Sequence, residues 1–172
     1  MLKCWVVAEK RLVDGRKIMI IRTRRIEING ESKMLQQLQI EYKGAVVSKK
    51  NNKVIRYNRH TGHRFITSND MAKRNESDMV TQFRLQTRGA FRAEEWSPCS
   101  LEFRIYEPDM KRRDLDNQIT SVLDALVKAE VIPDDGIETV RGIQVKLMGV
   151  CKSNPRVEVV LTKEQGEILC LP

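Results

Sequence analysis

Nine consecutive residues hold most of the chemistry this chain can offer: Asp109-Met-Lys-Arg-Arg-Asp114-Leu-Asp116-Asn117, with Asp134-Asp135 one helix further on. Carboxylates alone suit a metal ion, and cations alone suit a phosphate. Side by side, they suit a site where a divalent metal meets a nucleic-acid backbone. Two carboxylates at i and i+2 can share one cation where the backbone is extended or turning, because in the body of a helix they diverge by about 200°. The same residues have plainer uses. An Asp at a helix start caps free N–H groups and complements the dipole, and Pro133-Asp134-Asp135-Gly136 is by itself a turn sequence.

Clustered carboxylates repel one another unless a cation binds among them. Mg²⁺ is the expected cofactor, with Mn²⁺ as the alternative. Such an ion orients a phosphate oxygen and acidifies an attacking water, which is phosphodiesterase chemistry. No nucleophilic constellation competes. The two histidines stand in His60-Thr-Gly-His63, away from any serine or cysteine motif. A phosphatase using the two Asp residues as nucleophile and acid would want the first at the end of an apolar strand, and Met110-Lys-Arg-Arg precedes it instead.

A basic arm accompanies the acids. Between positions 49 and 74 stand Lys49, Lys50, Lys53, Arg56, Arg59, Arg64, Lys73 and Arg74, against the single acid Asp70. Asn51, Asn52, Tyr57 and Asn58 are interleaved. This composition fits a groove that contacts phosphates and offers polar and aromatic groups to bases; a solvated basic loop would look the same. Lys111, Arg112 and Arg113 beside the acids would hold a scissile phosphate despite the carboxylates.

These residues need elements to position them. Apolar residues alternate at Leu38, Ile40 and Tyr42; at Leu101, Phe103 and Ile105; at Ile143, Val145 and Leu147; and at Val157, Val159 and Leu161. Each set predicts a half-buried strand. Asn154-Pro155 between the last two predicts that they pair as an antiparallel hairpin. One helix is expected from about Leu115 to Ala129, where Leu115, Ile119, Val122, Leu123 and Leu126 form an apolar face, and a weaker one over about Asn69 to Leu85. Asp116, Thr120, Asp124 and Lys128 form a polar stripe on the first helix: for Asp124 and Lys128 this reads as its wet side, and for Thr120 as a place beside the metal. Arg88-Gly89 through Ser97-Pro98 reads as a loop.

The expected fold class is α+β: a single domain with a mostly antiparallel or mixed sheet and two main helices. Residues 1–35 are set apart as an N-terminal extension, with Lys17 to Ile21 and Arg25 to Ile28 as a small hairpin and Asn29-Gly30 as a further turn. Residues 36–172 form the main domain. A fifteen-residue helix is roughly 22 Å long and the six residues from Glu130 to Asp135 span roughly 20 Å. Asp135 can thus return towards Asp114 and Asp116 with little slack; failing that, a partner subunit must supply the third carboxylate.

The length of 172 residues is enough to bury a core without disulfides. A net charge of +8 draws the chain to polyanions. Cys4, Cys99, Cys151 and Cys170 are too dispersed for a zinc site. No apolar run is long enough for a signal peptide or membrane span, so a cytoplasmic protein with reduced thiols and no membrane partner is expected.

The ordered string Arg113-Asp-Leu-Asp-Asn117, Leu123-Asp-Ala-Leu126, Val131 and Asp134-Asp135 resembles the signature of RusA-type Holliday-junction resolvases. Ser48-Lys-Lys-Asn51 and Gly62-His-Arg-Phe-Ile66 resemble the amino-terminal part of some members, and the likeness spans about residues 36–162. The resemblance implies a RusA-like fold and a small homodimeric, Mg²⁺-dependent endodeoxyribonuclease of bacteria and their prophages. It would bind four-way DNA junctions and resolve them by paired symmetric nicks during recombination and repair. It implies Asp114, Asp116 and Asp135 as the catalytic, metal-binding acids, with Asn117 and Asp134 in support. Where the family usually carries a catalytic lysine, this chain has Thr120, which cannot neutralise developing negative charge. Lys111, Arg112, Arg113 or Lys128 would have to substitute. The alternative is a catalytically weak junction- or DNA-binding protein. Met34 lies just before the matching stretch, and the part upstream of it is expected to be dispensable.

Overall fold

The structure is a computed structural model that describes residues 3–14, 17–28, 31–88 and 91–164. The turn signal Asn29-Gly30, Gly89 and Cys170 lie outside the described residues. Among the described residues, eight strands and two α-helices follow one another as β1 (Lys3–Asp14), β2 (Lys17–Ile28), β3 (Glu31–Lys43), β4 (Lys53–Tyr57), β5 (Arg64–Ser68), α1 (Asp70–Thr87), β6 (Cys99–Glu107), α2 (Leu115–Lys128), β7 (Val140–Val150) and β8 (Arg156–Lys163). Six strands form one sheet in the order β1-β2-β3-β8-β6-β7, and β4 and β5 form a separate pair. The expected α+β class is what the chain adopts.

Period-two patterning builds the sheet's inner face row by row. Leu38, Leu161 and Leu101 lie side by side across β3, β8 and β6; Ile40, Val159 and Phe103 form the next row; Tyr42, Val157 and Ile105 the third. All nine are 2 % exposed or less. The intervening residues carry a charged outer face, where Glu102 meets Arg104 and Lys146, and Arg156 meets Glu158 and stacks on Tyr106. The helices cover the inner face. α1 buries Ala72, Met79, Phe83 and Thr87, spaced seven, four and four apart, and α2 buries Ile119, Val122, Ala125 and Leu126. Removing a side chain such as Phe103 would cost about 3–5 kcal/mol.

Two expectations need correction. β7 and β8 do not form a hairpin: β6 lies between them, parallel to β7 and antiparallel to β8. The Asn154-Pro155 turn is real, but β8 pairs on both sides, with β3 and β6, and takes an inner place, while β7 goes to the edge. There Ile143, Val145 and Leu147 continue the apolar rows of β6 yet stay 50, 37 and 56 % exposed. Second, Lys17–Ile28 is one continuous strand, so the small hairpin proposed within it does not form. β1, β2 and β3 instead run as an antiparallel meander into the main sheet, and position 35 falls inside β3. Within the stretch read as a loop, Ala93–Trp96 forms a 3₁₀ turn that buries Trp96.

Candidate functional site

The site forms where β6 hands over to α2. Arg113 reaches back from the end of this connection to Asp109 at 2.7 Å and to Glu107 at 3.3 Å. The Asp109 carboxylate also accepts from the Lys111 backbone N–H, closing a tight turn. Arg113, and after it the Lys111 N–H, hold the Asp109 carboxyl below its ordinary range, and the Asp109 bond raises Arg113 in turn. Arg113 therefore shapes the loop, whereas Arg112 is exposed and has no ion pair among the described residues.

Asp114 stands at the N-cap of α2, where its side chain would ordinarily bond a free helix N–H. It makes no such bond, forgoing about 1 kcal/mol of capping. Two amides hold it instead. Asn51 Nδ2 donates to Asp114 Oδ2 at 3.2 Å and Asn117 Nδ2 donates to the same oxygen at 3.3 Å. Asn117 Nδ2 also donates to Asn51 Oδ1 at 3.1 Å, closing the triangle. The carboxylate thus bonds side-chain amides rather than the helix backbone, with no hydrogen bond to its Oδ1 among the described residues. Asp116, in the first turn, is exposed, and its backbone oxygen accepts from Thr120 Oγ1 at 2.9 Å.

The loop carrying Asn51 is fixed to both helices. The Val47 N–H donates to Asn75 on α1, and the Lys49 N–H donates to Ser121 on α2. Lys49 Nζ lies 2.7 Å from Asp124 and also against Glu76, which Lys128 approaches from α2. Burial alone would lower the Lys49 pKa, but the bonds to Asp124 and Glu76 outweigh it and hold it above the ordinary lysine value. Asp124 and Lys128 are therefore more than the wet side of a helix: with Glu76 and Lys49 they tie α1, the loop and α2 together. Lys49 is only 20 % exposed, so a phosphate would have to displace these acids to reach it. Lys50 and Lys53 are exposed.

Between this loop, the start of α1 and Asp114 lies a cleft of about 320 Å³, walled by Ala45, Val46, Val47 and Met71 and rimmed by Arg112. Its floor includes Gln118, which is 1 % exposed. Gln118 Nε2 donates to Glu107 Oε1 at 2.8 Å, while Gln118 Oε1 has no partner among the described residues. An unpartnered buried carbonyl costs about 1–3 kcal/mol. Patterning could not reveal Gln118, Glu107 or Glu76, because a polar residue at a buried position carries no periodic signal.

β4 and β5 project beyond the cleft as a hairpin, pinched at its base where the Asn69 N–H donates to Asn52 O. Ile55 faces Ile66 and Tyr57 faces Arg64 across the pair; Ile55, Ile66 and Tyr57 are 72, 69 and 61 % exposed. The basic arm of the sequence is the loop before β4, this hairpin and the first two turns of α1.

Asp134 and Asp135 are exposed in the connection beyond the C-terminal end of α2. The Val131 N–H bonds back to Leu126 O, Val131 and Ile132 sink into the core, and β7 begins level with the start of β6. The fourteen-residue α2, roughly 21 Å long, thus separates the two acidic pairs. Among the described residues no group of three or more His, Cys, Asp or Glu side chains could hold a metal. The Asp114–Asp116 pair nevertheless suits Mg²⁺, which takes hard oxygen donors, keeps several waters and is commonly held by one or two carboxylates together with substrate phosphate.

The family model described as Endodeoxyribonuclease RusA matches residues 43–162. The chain belongs to the RusA family. The match starts at the last residue of β3 and ends in β8, so every site residue named above lies within it, and β1 and β2 lie outside. RusA proteins are endonucleases of Holliday-junction DNA, and the chain's activity is accordingly that of a nuclease. No curated protein matches the chain. No helix among the described residues is long and apolar enough to cross a membrane.

Proposed function

We propose that this RusA protein is a Mg²⁺-dependent endonuclease that resolves four-way DNA junctions by paired, symmetric nicks. The observation that carries this reading is Asp114, held by Asn51 and Asn117 away from its helix cap and beside a cleft rimmed by Arg112. When bound by Asp114 and Asp116, Mg²⁺ supplies Lewis-acid polarisation of a phosphate oxygen and acidification of water. The chain's own residues do the rest. Arg112 and Lys111 anchor the phosphate, Asn51 and Asn117 fix the carboxylate, and the basic hairpin tracks the backbone of the DNA arm. Asp135, supported by Asp134, joins as third ligand from a partner subunit.

The homodimer forms through β7. A strand at the sheet's edge among the described residues, with Ile143, Val145 and Leu147 exposed beside the core, is a surface that association covers. A two-fold dimer presents two equivalent sites to a two-fold junction. Leu147→Asp is expected to give a monomer in analytical ultracentrifugation and to abolish cutting; a variant that remains dimeric would refute the β7 interface.

The deciding assay is nicking of a synthetic four-way junction, beside linear duplex, with Mg²⁺, with Mn²⁺ and with chelator. Asp114→Asn is expected to lose cutting by at least a hundredfold and to retain junction binding. Undiminished cutting by that variant would remove the site. A second reading, a junction binder that cuts weakly, draws on Thr120, whose hydroxyl turns back onto its own helix. Wild-type binding without nicks, together with gain of nicking in Thr120→Lys, would select it.

A further inference from the structure

We propose that the outward face of the β4–β5 hairpin is a wedge that enters the DNA at the branch point, where Ile55 and Ile66 lie against unstacked base faces. The inference rests on the endonuclease reading and deepens it, since it names what tells a junction from a duplex.

The two faces of the hairpin differ in what they touch. Residues two apart on a strand, and residues opposite each other across the pair, share a face. Ile55 and Tyr57 therefore stand on one side with their partners Ile66 and Arg64, and Val54, Arg56, Phe65 and Thr67 on the other. Arg56 ties this second side to Asp70 at the start of α1, at 2.6 Å, and Val54 and Thr67 are half-buried. The first side is left open, with both isoleucines and Tyr57 largely exposed.

An exposed cross-strand isoleucine pair gains from an apolar cover. The charges beside it say what the cover is. Lys53 and Arg64 lie on the same side, both exposed, and no acid shares it. An apolar centre flanked by cations matches a polyanion with an apolar interior, which is DNA. The groove edges of a base pair are polar, whereas its faces take apolar and aromatic contact. Isoleucine is among the side chains that proteins insert between base steps. In continuous duplex those steps are closed by stacking. At a branch point the strands change partners, and a step there opens at lower cost.

The hairpin is also rooted beside the cutting site. Asn51 holds Asp114, and the next residue, Asn52, closes the hairpin base with Asn69. From Asn51 to Ile55 the chain spans at most roughly 14 Å, or about four base pairs. A wedge in the branch point thus sets the cut close to it.

The test uses the full chain with chelator, so that nothing is cut, and four-way junctions carrying 2-aminopurine at single positions around the crossover. The fluorescence of this base rises when it unstacks. Wild type is expected to raise it about threefold or more beside the branch point, and not in linear duplex. The double variant Ile55→Thr, Ile66→Thr keeps β-branching and charge at exposed positions. It is expected to abolish the rise and to reduce the preference for junction over duplex by about tenfold, while duplex affinity stays within about twofold. Phe65→Thr, on the opposite side, is expected to behave as wild type. A wild type that raises no signal at any position overturns the wedge. So does a rise unchanged in the double variant, or one lost equally in Phe65→Thr. A double variant that becomes monomeric in sedimentation while the rise persists would give the face to a second copy of the chain, and overturns it too. Nicking with Mg²⁺ is read in parallel. Cutting without a fluorescence rise sinks the wedge alone, and a rise without cutting sinks the endonuclease reading alone.

Discussion

At the scale of single residues, the site depends on one carboxylate turned away from its usual work. An Asp at an N-cap would bond the helix, yet Asn51 and Asn117 take hold of Asp114 instead. Asn51 was expected to touch DNA; its hydrogen bonds with Asp114 and Asn117 support a positioning part in the proposed site. A hydrogen bond to a charged group contributes about 1.5–3 kcal/mol, towards the lower figure at an exposed site such as this. Asn51→Ala is therefore expected to slow single-turnover nicking by about tenfold while junction affinity stays within twofold. Unchanged nicking with weakened affinity would return Asn51 to the DNA contacts.

At the scale of elements, the ion cluster between α1, the loop before β4 and α2 sets how firmly Asn51 is placed. Burial alone would raise the Glu76 carboxyl, but hydrogen bonds from Lys128 and Lys49 outweigh it and hold the pKa below its ordinary 4.5. A depressed folded-state value means that the unfolded chain takes the proton first. The stabilisation is present above about pH 4.5 and disappears as pH falls through the lower folded value. Glu76→Gln is expected to be less stable than wild type at pH 7 by about 1.5–3 kcal/mol in urea unfolding, with the gap closing in acid. A gap independent of pH would refute the ionic account.

Much at this scale was legible in the sequence. Leu38, Leu101 and Val157 began alternations that became the core rows, and the apolar face from Leu115 onward became α2. What periodicity cannot report is who sits beside whom. The strands holding Val145 and Val159 read as neighbours across a turn, but β6 lies between them, and Val145 and Val159 both pair with Phe103. Lys49 read as a phosphate contact because Asp124, which neutralises it, stands 75 residues away in the chain.

At the scale of the whole molecule, the family-matched domain starts at the end of β3, and β1 and β2 extend its sheet from outside. The inner rows require β3 from Leu38 onward. A chain beginning at Met34 is expected to fold cooperatively, with a melting temperature lowered by several degrees and more self-association, because β3 becomes an open edge. Failure to fold would show that the meander is part of the core.

The parallel crossover from β6 through α2 to β7 carries a kinetic consequence. With its acidic pairs at opposite ends of a helix, an isolated chain would, on the proposed dimer, hold two halves of different catalytic centres. In very dilute solution, initial velocity should climb with the square of chain concentration, flattening to first power once pairs predominate. Scarcity would then act as a safety catch, sparing chromosomal branch points until enough copies have accumulated to meet.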